Sequence, residues 1–289
     1  MSRVSLSADS SLARSSWTQV YFGIGFTTLA TLVLELSLTR IFSVVFYYHF
    51  AFLAISVAMF GLGAGGVFSY VVAEWPGNPY RTLGKLALAG SFTVVAALWF
   101  ILSRPAEELS NGTLAMVYLV SALPFFLAGA VISTAMAESI ERIDRAYFCD
   151  LAGAAAGCLL LIPFLNYFGG PNTVIAAAVL YAIGGAIWFH QAQAIRSRAA
   201  AVLIALLLVT LMLANYKQHW IDVRTAKGQK VPPERFTAWN SFSRIGVQRV
   251  DSPWNPNAYW TIIIDGRYLP AIRFAFASPI LRCSATESA

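Results

Sequence analysis

A carboxylate, a guanidinium and an imidazole, those of Glu35, Arg40 and His49, stand within the apolar stretch LVLELSLTRIFSVVFYYHF (Leu32 to Phe50). Side chains of these types can exchange a proton, hold a small ion or clamp one another. An ionisable group among apolar neighbours is costly enough to need such a reason. In a continuous helix Glu35 and Arg40 point roughly 140° apart, so a break near Thr39 is required for them to meet. An end-of-helix clamp between Glu35 and Arg40 is the preferred reading. A ligand or proton site that includes His49 and a lipid-facing placement with Arg40 snorkelling to the interface are the alternatives. Asp150 raises the same question where it opens the apolar run DLAGAAAGCLL. Arg142 and Arg145, in the preceding ESIERIDRAYFCD, are near enough in sequence to fold back onto it. The rest of that charged segment, with Glu141 and Arg145 four residues apart, reads as a solvated interfacial helix.

Two glycine motifs carry no chemistry of their own. GLGAGG (Gly61 to Gly66) fits the spacing of a dinucleotide-binding turn, but that pattern has meaning only between a strand and a helix. Inside an apolar run, Gly61 and Gly65 instead form a small face on which two helices approach closely. Gly153 and Gly157 repeat the device. Cys149, Cys158 and Cys283 lie far apart without metal-ligand spacing, so neither a disulfide framework nor a metal site is expected. No cofactor-binding or catalytic motif is visible, and no nucleic-acid partner is expected.

The elements that must position these residues follow from the composition. The 289 residues are 58% hydrophobic and 12% charged, with a mean hydropathy of +0.64, whereas a soluble domain carries about 25% charged residues. That is the composition of a polytopic membrane protein. A span needs about 20 apolar residues, and seven runs meet or approach that length: roughly 17–38, 46–73, 83–103, 114–137, 147–168, 172–190 and 199–215. Loops separate them, among them the Gly-Gly-Pro turn of NYFGGPN. The expected architecture is an all-α polytopic membrane bundle of about seven transmembrane helices with a short β-containing C-terminal tail. Residues 1–16 form a polar N-terminal tail, 17–215 the helical domain and 216–289 the basic extramembrane tail. The first run is expected as a retained span, since no cleavage pattern precedes Trp17. Trp17, Tyr47, Tyr48, Trp75, Trp188 and Trp220 sit near run ends, as interfacial aromatic belts do.

The bias of Lys and Arg orients the bundle. With the N-terminus inside, inner segments hold Arg3, Arg14, Arg81, Lys85, Arg142, Arg145, Arg196 and Arg198, and outer loops hold Arg40 and Arg104. The N-terminus is therefore expected in the cytoplasm and the tail outside, although the tail supplies +5 of the +6 net charge. Long segments are largely exempt from that rule. In the tail, SFSRIGVQRV and WTIIIDGRYLP read as short strands with a turn at Asp265-Gly266.

Taken together, LELSLTRIFSVVFYYHFAFLAISVAMFGLGAGG, YFCDLAGAAAGCLLLIPFLNYFGGPN and WNSFSRIGV resemble bacterial membrane proteins of the spermidine synthase-like group. Those chains join a multi-span N-terminal domain to a polyamine aminopropyltransferase-like domain of the methyltransferase fold. The resemblance implies a bacterial inner-membrane location, and it implies that the tail strands belong to the small β-domain that precedes the catalytic one. The chain departs from the pattern after those strands, running into AIRFAFASPILRCSATESA, so no family catalytic residue can be carried over. The leading expectation is a non-catalytic structural or accessory subunit embedded in lipid and packed against other membrane proteins. A transporter or channel for a small cation such as a polyamine, using Glu35 or Asp150, is the alternative. A third reading is the membrane part of an aminopropyltransferase or methyltransferase whose catalytic domain lies elsewhere.

Overall fold

The computed structural model describes residues 2–46, 50–103, 111–227, 229–231, 234–252, 255–265 and 267–268. The apolar runs form helices α1 (Ser2–Val45), α2 (Phe50–Ala73), α3 (Pro79–Ser103), α4 (Asn111–Glu138), α5 (Ile143–Gln191) and α6 (Ile195–Gln218). Among the described residues, six helices are long and apolar enough to cross a membrane. Local signals set their ends. Asn78 accepts a hydrogen bond from the Tyr80 N–H (2.9 Å), and Pro79 occupies the first helical position, where its missing N–H is no loss. α6 closes at His219, whose left-handed φ of 50° directs its N–H to the Asn215 carbonyl (2.8 Å).

α5 absorbs two of the seven expected runs, 147–168 and 172–190. Its 49 residues would extend about 70 Å as a straight rod, far beyond a hydrocarbon core of about 30 Å. It is not a rod. Gly169, at φ 78° and ψ 171°, takes a conformation essentially confined to glycine and bends the helix back on itself. The carbonyls freed at the bend find donors: Asn172 Nδ2 bonds Phe168 O (2.9 Å) and Thr173 Oγ1 bonds Gly169 O (2.7 Å). The two halves then run in opposite directions along α1. Gly157 lies on Leu29 and Leu32 in the first half, whereas Tyr181 meets Thr31, and Trp188 meets Gly23, in the second.

Close approach rather than apolar burial holds such helices together, because lipid is as apolar as a leucine side chain. Gly153 packs backbone to backbone on Gly25, and Gly65 on Phe126 and Ala130 of α4. A Cβ on Gly61 would stand 2.7 Å from the Ala122 carbonyl oxygen and from Phe125 Cβ. The Gly61/Gly65 face thus seats α4, and the Gly153/Gly157 face seats α1. Trp188 departs from the expected aromatic belt. It is fully buried, lies flat on Tyr80 at 6.2 Å between ring centres, and occupies a slot opened by Gly23.

The tail folds into β1 (Thr225–Ala226) paired with β2 (Gln229–Lys230), and an antiparallel sheet in the order β3 (Phe236–Trp239), β4 (Arg244–Ser252), β5 (Asn255–Ile264), β6 (Arg267–Tyr268). β4 and β5 run from Ile245 opposite Ile264 to Ser252 opposite Asn255, with a bulge near the far end. A sheet this small needs support from another surface. It finds that support at the end of the bundle where α1 and α6 finish and α5 bends.

Candidate functional site

Two polar arrangements interrupt the apolar fold, one within the bundle and one where the sheet meets it. The first lies on α1, where Thr27, Thr28 and Thr31 occupy one turn. Thr27 and Thr31 return their hydroxyl protons to the carbonyls four residues earlier, Gly23 and Thr27, each at 2.8 Å. Their oxygens serve the second half of α5: Trp188 Nε1 donates to Thr27 Oγ1 (3.3 Å), and Thr31 Oγ1 lies 2.8 Å from Tyr181 Oη. Both aromatic polar tips are thereby matched in a buried setting, where an unmatched one is costly.

Thr28 faces the first half of α5 and donates a hydrogen bond to Asp150 Oδ1. The acid at the head of DLAGAAAGCLL therefore has a hydroxyl partner from across the helix seam, and the expected return of Arg142 or Arg145 does not occur. Arg142 instead lies over the Trp17 ring, 5.1 Å from its centre.

Glu35 and Arg40 stand apart from each other. α1 continues unbroken past Thr39, whose hydroxyl bonds the Glu35 and Leu36 carbonyls within the helix (2.8 and 2.9 Å). The expected break is absent, so the preferred Glu35–Arg40 clamp is corrected. Arg40 Nη1 instead reaches the Phe242 carbonyl oxygen in the turn between β3 and β4 (3.4 Å). Glu35 is half-buried, seven residues beyond Thr28 and so on the same face of α1, about 10 Å further along. His49 lies outside the described residues. Cys149 is half-buried and Cys158 exposed. No group of three metal-ligating side chains occurs among the described residues.

The second arrangement joins sheet and bundle. Asn215 Nδ2 donates to Asn172 Oδ1 (2.7 Å) and to the Ile221 carbonyl (3.1 Å), while its Oδ1 accepts from the Ile221 N–H (2.6 Å). One buried amide thus ties α6, the bend of α5 and the strand-bearing tail. The Trp239 indole lies on Gly169 and Gly170, where a Cβ would stand 3.2 and 2.8 Å from the ring. The Lys227 N–H donates to the Val45 carbonyl at the end of α1 (2.7 Å).

Behind Trp239, Arg244 and Glu234 form a buried two-pronged ion pair at 3.0 and 2.7 Å, with side chains 3% and 4% exposed. Gly246 leaves room for the carboxylate, and the guanidinium sits 5.8 Å from the Trp239 ring centre. Asp265 fixes the strand end by accepting from the Arg244 N–H (2.8 Å) and returning its own N–H to the Arg244 carbonyl (2.9 Å).

Two cavities of about 440 and 740 Å³ flank this junction, and His219 and Asp222 line both. His219 Nδ1 stands 3.5 Å from Asp222 Oδ2. Sequence reasoning did not reach this site. Glu234 and Arg244 are ten residues apart with no periodic signal, and Asn172 and Asn215 are 43 apart. An asparagine directly after Gly-Gly-Pro was the available clue. Comparison with known proteins finds no matching family model, no matching curated protein and no matching solved structure.

Proposed function

We propose that this chain is a non-catalytic membrane subunit whose helical bundle holds a small sheet at one membrane face, ready for contact with other membrane proteins. The carrying observation is the junction. Trp239 on the Gly169–Gly170 bend, Asn215 on Asn172 and Ile221, and Lys227 on Val45 fasten the tail that carries the sheet to three different helices. Meanwhile Phe236 and Phe242 of the sheet unit remain 59% and 81% exposed. The antiparallel halves of α5 support seven crossings in all. The reading places Arg81, Lys85, Arg142, Arg145, Arg196 and Arg198 on the cytoplasmic side of a bacterial inner membrane and the sheet outside. On the spermidine synthase-like resemblance, the sheet would be the β-unit that seats a transferase domain. The test is gentle solubilisation followed by native mass spectrometry with crosslinking. A stoichiometric membrane-protein partner is expected; a strictly monomeric species with nothing bound overturns the reading.

A second reading has its own observation. Glu35 and the Thr28–Asp150 pair lie along one face of α1, a row of acids suited to passing a small cation such as a polyamine. Polyamine uptake into proteoliposomes should then fall on Glu35→Gln, and uptake unaffected by that change removes the idea.

A further inference from the structure

A groove of about 540 Å³ runs along the outside of the bundle between α6 and the second half of α5, over Phe22 and Gln19 of α1. Its lining extends from Val179 to His190 on α5 and from Arg198 to Val209 on α6. Each wall covers twelve residues of helix, roughly 16 Å from first to last, which matches one leaflet of a hydrocarbon core of about 30 Å. The walls are apolar along their length, while the polar groups gather at one end, where Gln19, His190 and Arg198 line the mouth.

That mouth opens at the end of the bundle where Arg142 lies over Trp17 and where Arg196 and Arg198 begin α6. Arg198 is exposed, and among the described residues no hydrogen bond or ion pair engages its guanidinium. We infer that the groove is a binding site for one anionic phospholipid of the adjoining leaflet. An acyl chain lies between α5 and α6, and the phosphate is held by Arg198 with His190 and Gln19 beside it. A basic mouth over an apolar slot between helices is the physical requirement for such a ligand. An isolated phosphate leaves the slot unfilled, and a neutral lipid leaves Arg198 unmatched. The inference needs the bundle to lie in a bilayer, but it does not depend on the subunit role.

The test offers the purified full chain equal amounts of phosphatidylglycerol and phosphatidylcholine with identical acyl chains in mixed micelles, and native mass spectrometry counts the lipids retained. The wild type is expected to keep one phosphatidylglycerol in preference to phosphatidylcholine. Arg198→Glu should lower that preference about fivefold or more, the weight of at least one basic side chain at a membrane surface. Arg198→Gln should lower it less. Arg196→Glu is the control: that residue lies two positions back and roughly 200° round the helix, so the preference should hold. Ala186→Phe, which fills the slot, should reduce retention of both lipids. Equal retention of the two lipids by the wild type overturns the proposal. So does an equal loss on Arg196→Glu and Arg198→Glu, which marks a diffuse basic surface, or undiminished retention in Ala186→Phe.

Discussion

Gly169 and Gly170 are adjacent and both lie under Trp239, yet substituting them should act by different physics. A Cβ at position 170 would stand 2.8 Å from Trp239 Cη2 and Cζ3 and 3.1 Å from Cε3. Carbon atoms in ordinary contact lie about 3.5–4.0 Å apart. The added methyl therefore overlaps a buried ring that is pinned between the bend and the Arg244 guanidinium, and overpacking of this kind costs about 1–3 kcal/mol. Gly170 is not among the positive-φ residues, so alanine there carries no backbone penalty. Gly169→Ala, by contrast, must hold φ 78° and ψ 171°, a strain of about 1–3 kcal/mol whatever lies above it. Trp239→Leu removes the ring atoms that clash and separates the two cases. In that background the cost of Gly170→Ala should vanish or reverse by up to about 1 kcal/mol through better helix propensity, whereas the cost of Gly169→Ala should persist. Hydrogen exchange at the paired amides of β3 and β4, in detergent, reports the opening free energy of the docked sheet. The double-mutant cycle should give a coupling of about 1–3 kcal/mol for positions 170 and 239. Equal costs for Gly170→Ala in both backgrounds would refute the seat of Trp239 on the bend.

Glu234→Ala leaves the Arg244 guanidinium buried without its counter-charge and should destabilise the sheet by about 3–5 kcal/mol, read from the same exchange measurement. Thr28→Val removes the donor to Asp150 and should cost about 0.6–1.7 kcal/mol of bundle stability in mixed-micelle unfolding, with Thr28→Ser close to wild type. Gly65→Ala drives a Cβ into the Phe126 carbonyl and the Ala130 N–H and should separate α2 from α4, seen as a large drop in thermal stability. Gly63→Ala meets nothing within 4 Å and should be neutral or mildly stabilising in the same melt.

Helix placement was legible because each span is long, apolar and closed by loop residues, and the bend in α5 was legible in the Gly-Gly-Pro of NYFGGPN. The end of the first helix was not. The first apolar run reads as ending near residue 38, with a break near Thr39 for Glu35 to meet Arg40, but α1 continues to Val45 and Arg40 reaches the Phe242 carbonyl instead. Partners were the least accessible feature. Asp150 meets Thr28 from 122 residues away, and Arg40 reaches the sheet, so neither contact leaves a periodic trace. Trp188 looked like a belt residue by its position near a run end. Its burial depends on Gly23, a missing side chain on another helix that no reading of the Trp188 segment could supply. The two long strands were visible in their β-branched runs, whereas the Glu234–Arg244 pair beneath them was not, because it joins a loop to a strand across the sheet face.

The subunit role is tested most directly on the sheet itself. A photo-crosslinking amino acid at Phe236, on the exposed side of β3, should give one discrete protein adduct in intact membranes, and the same group at the buried Trp188 should give none. If Phe236 yields only lipid adducts or no adduct at all, the sheet holds no partner and the proposed role is contradicted.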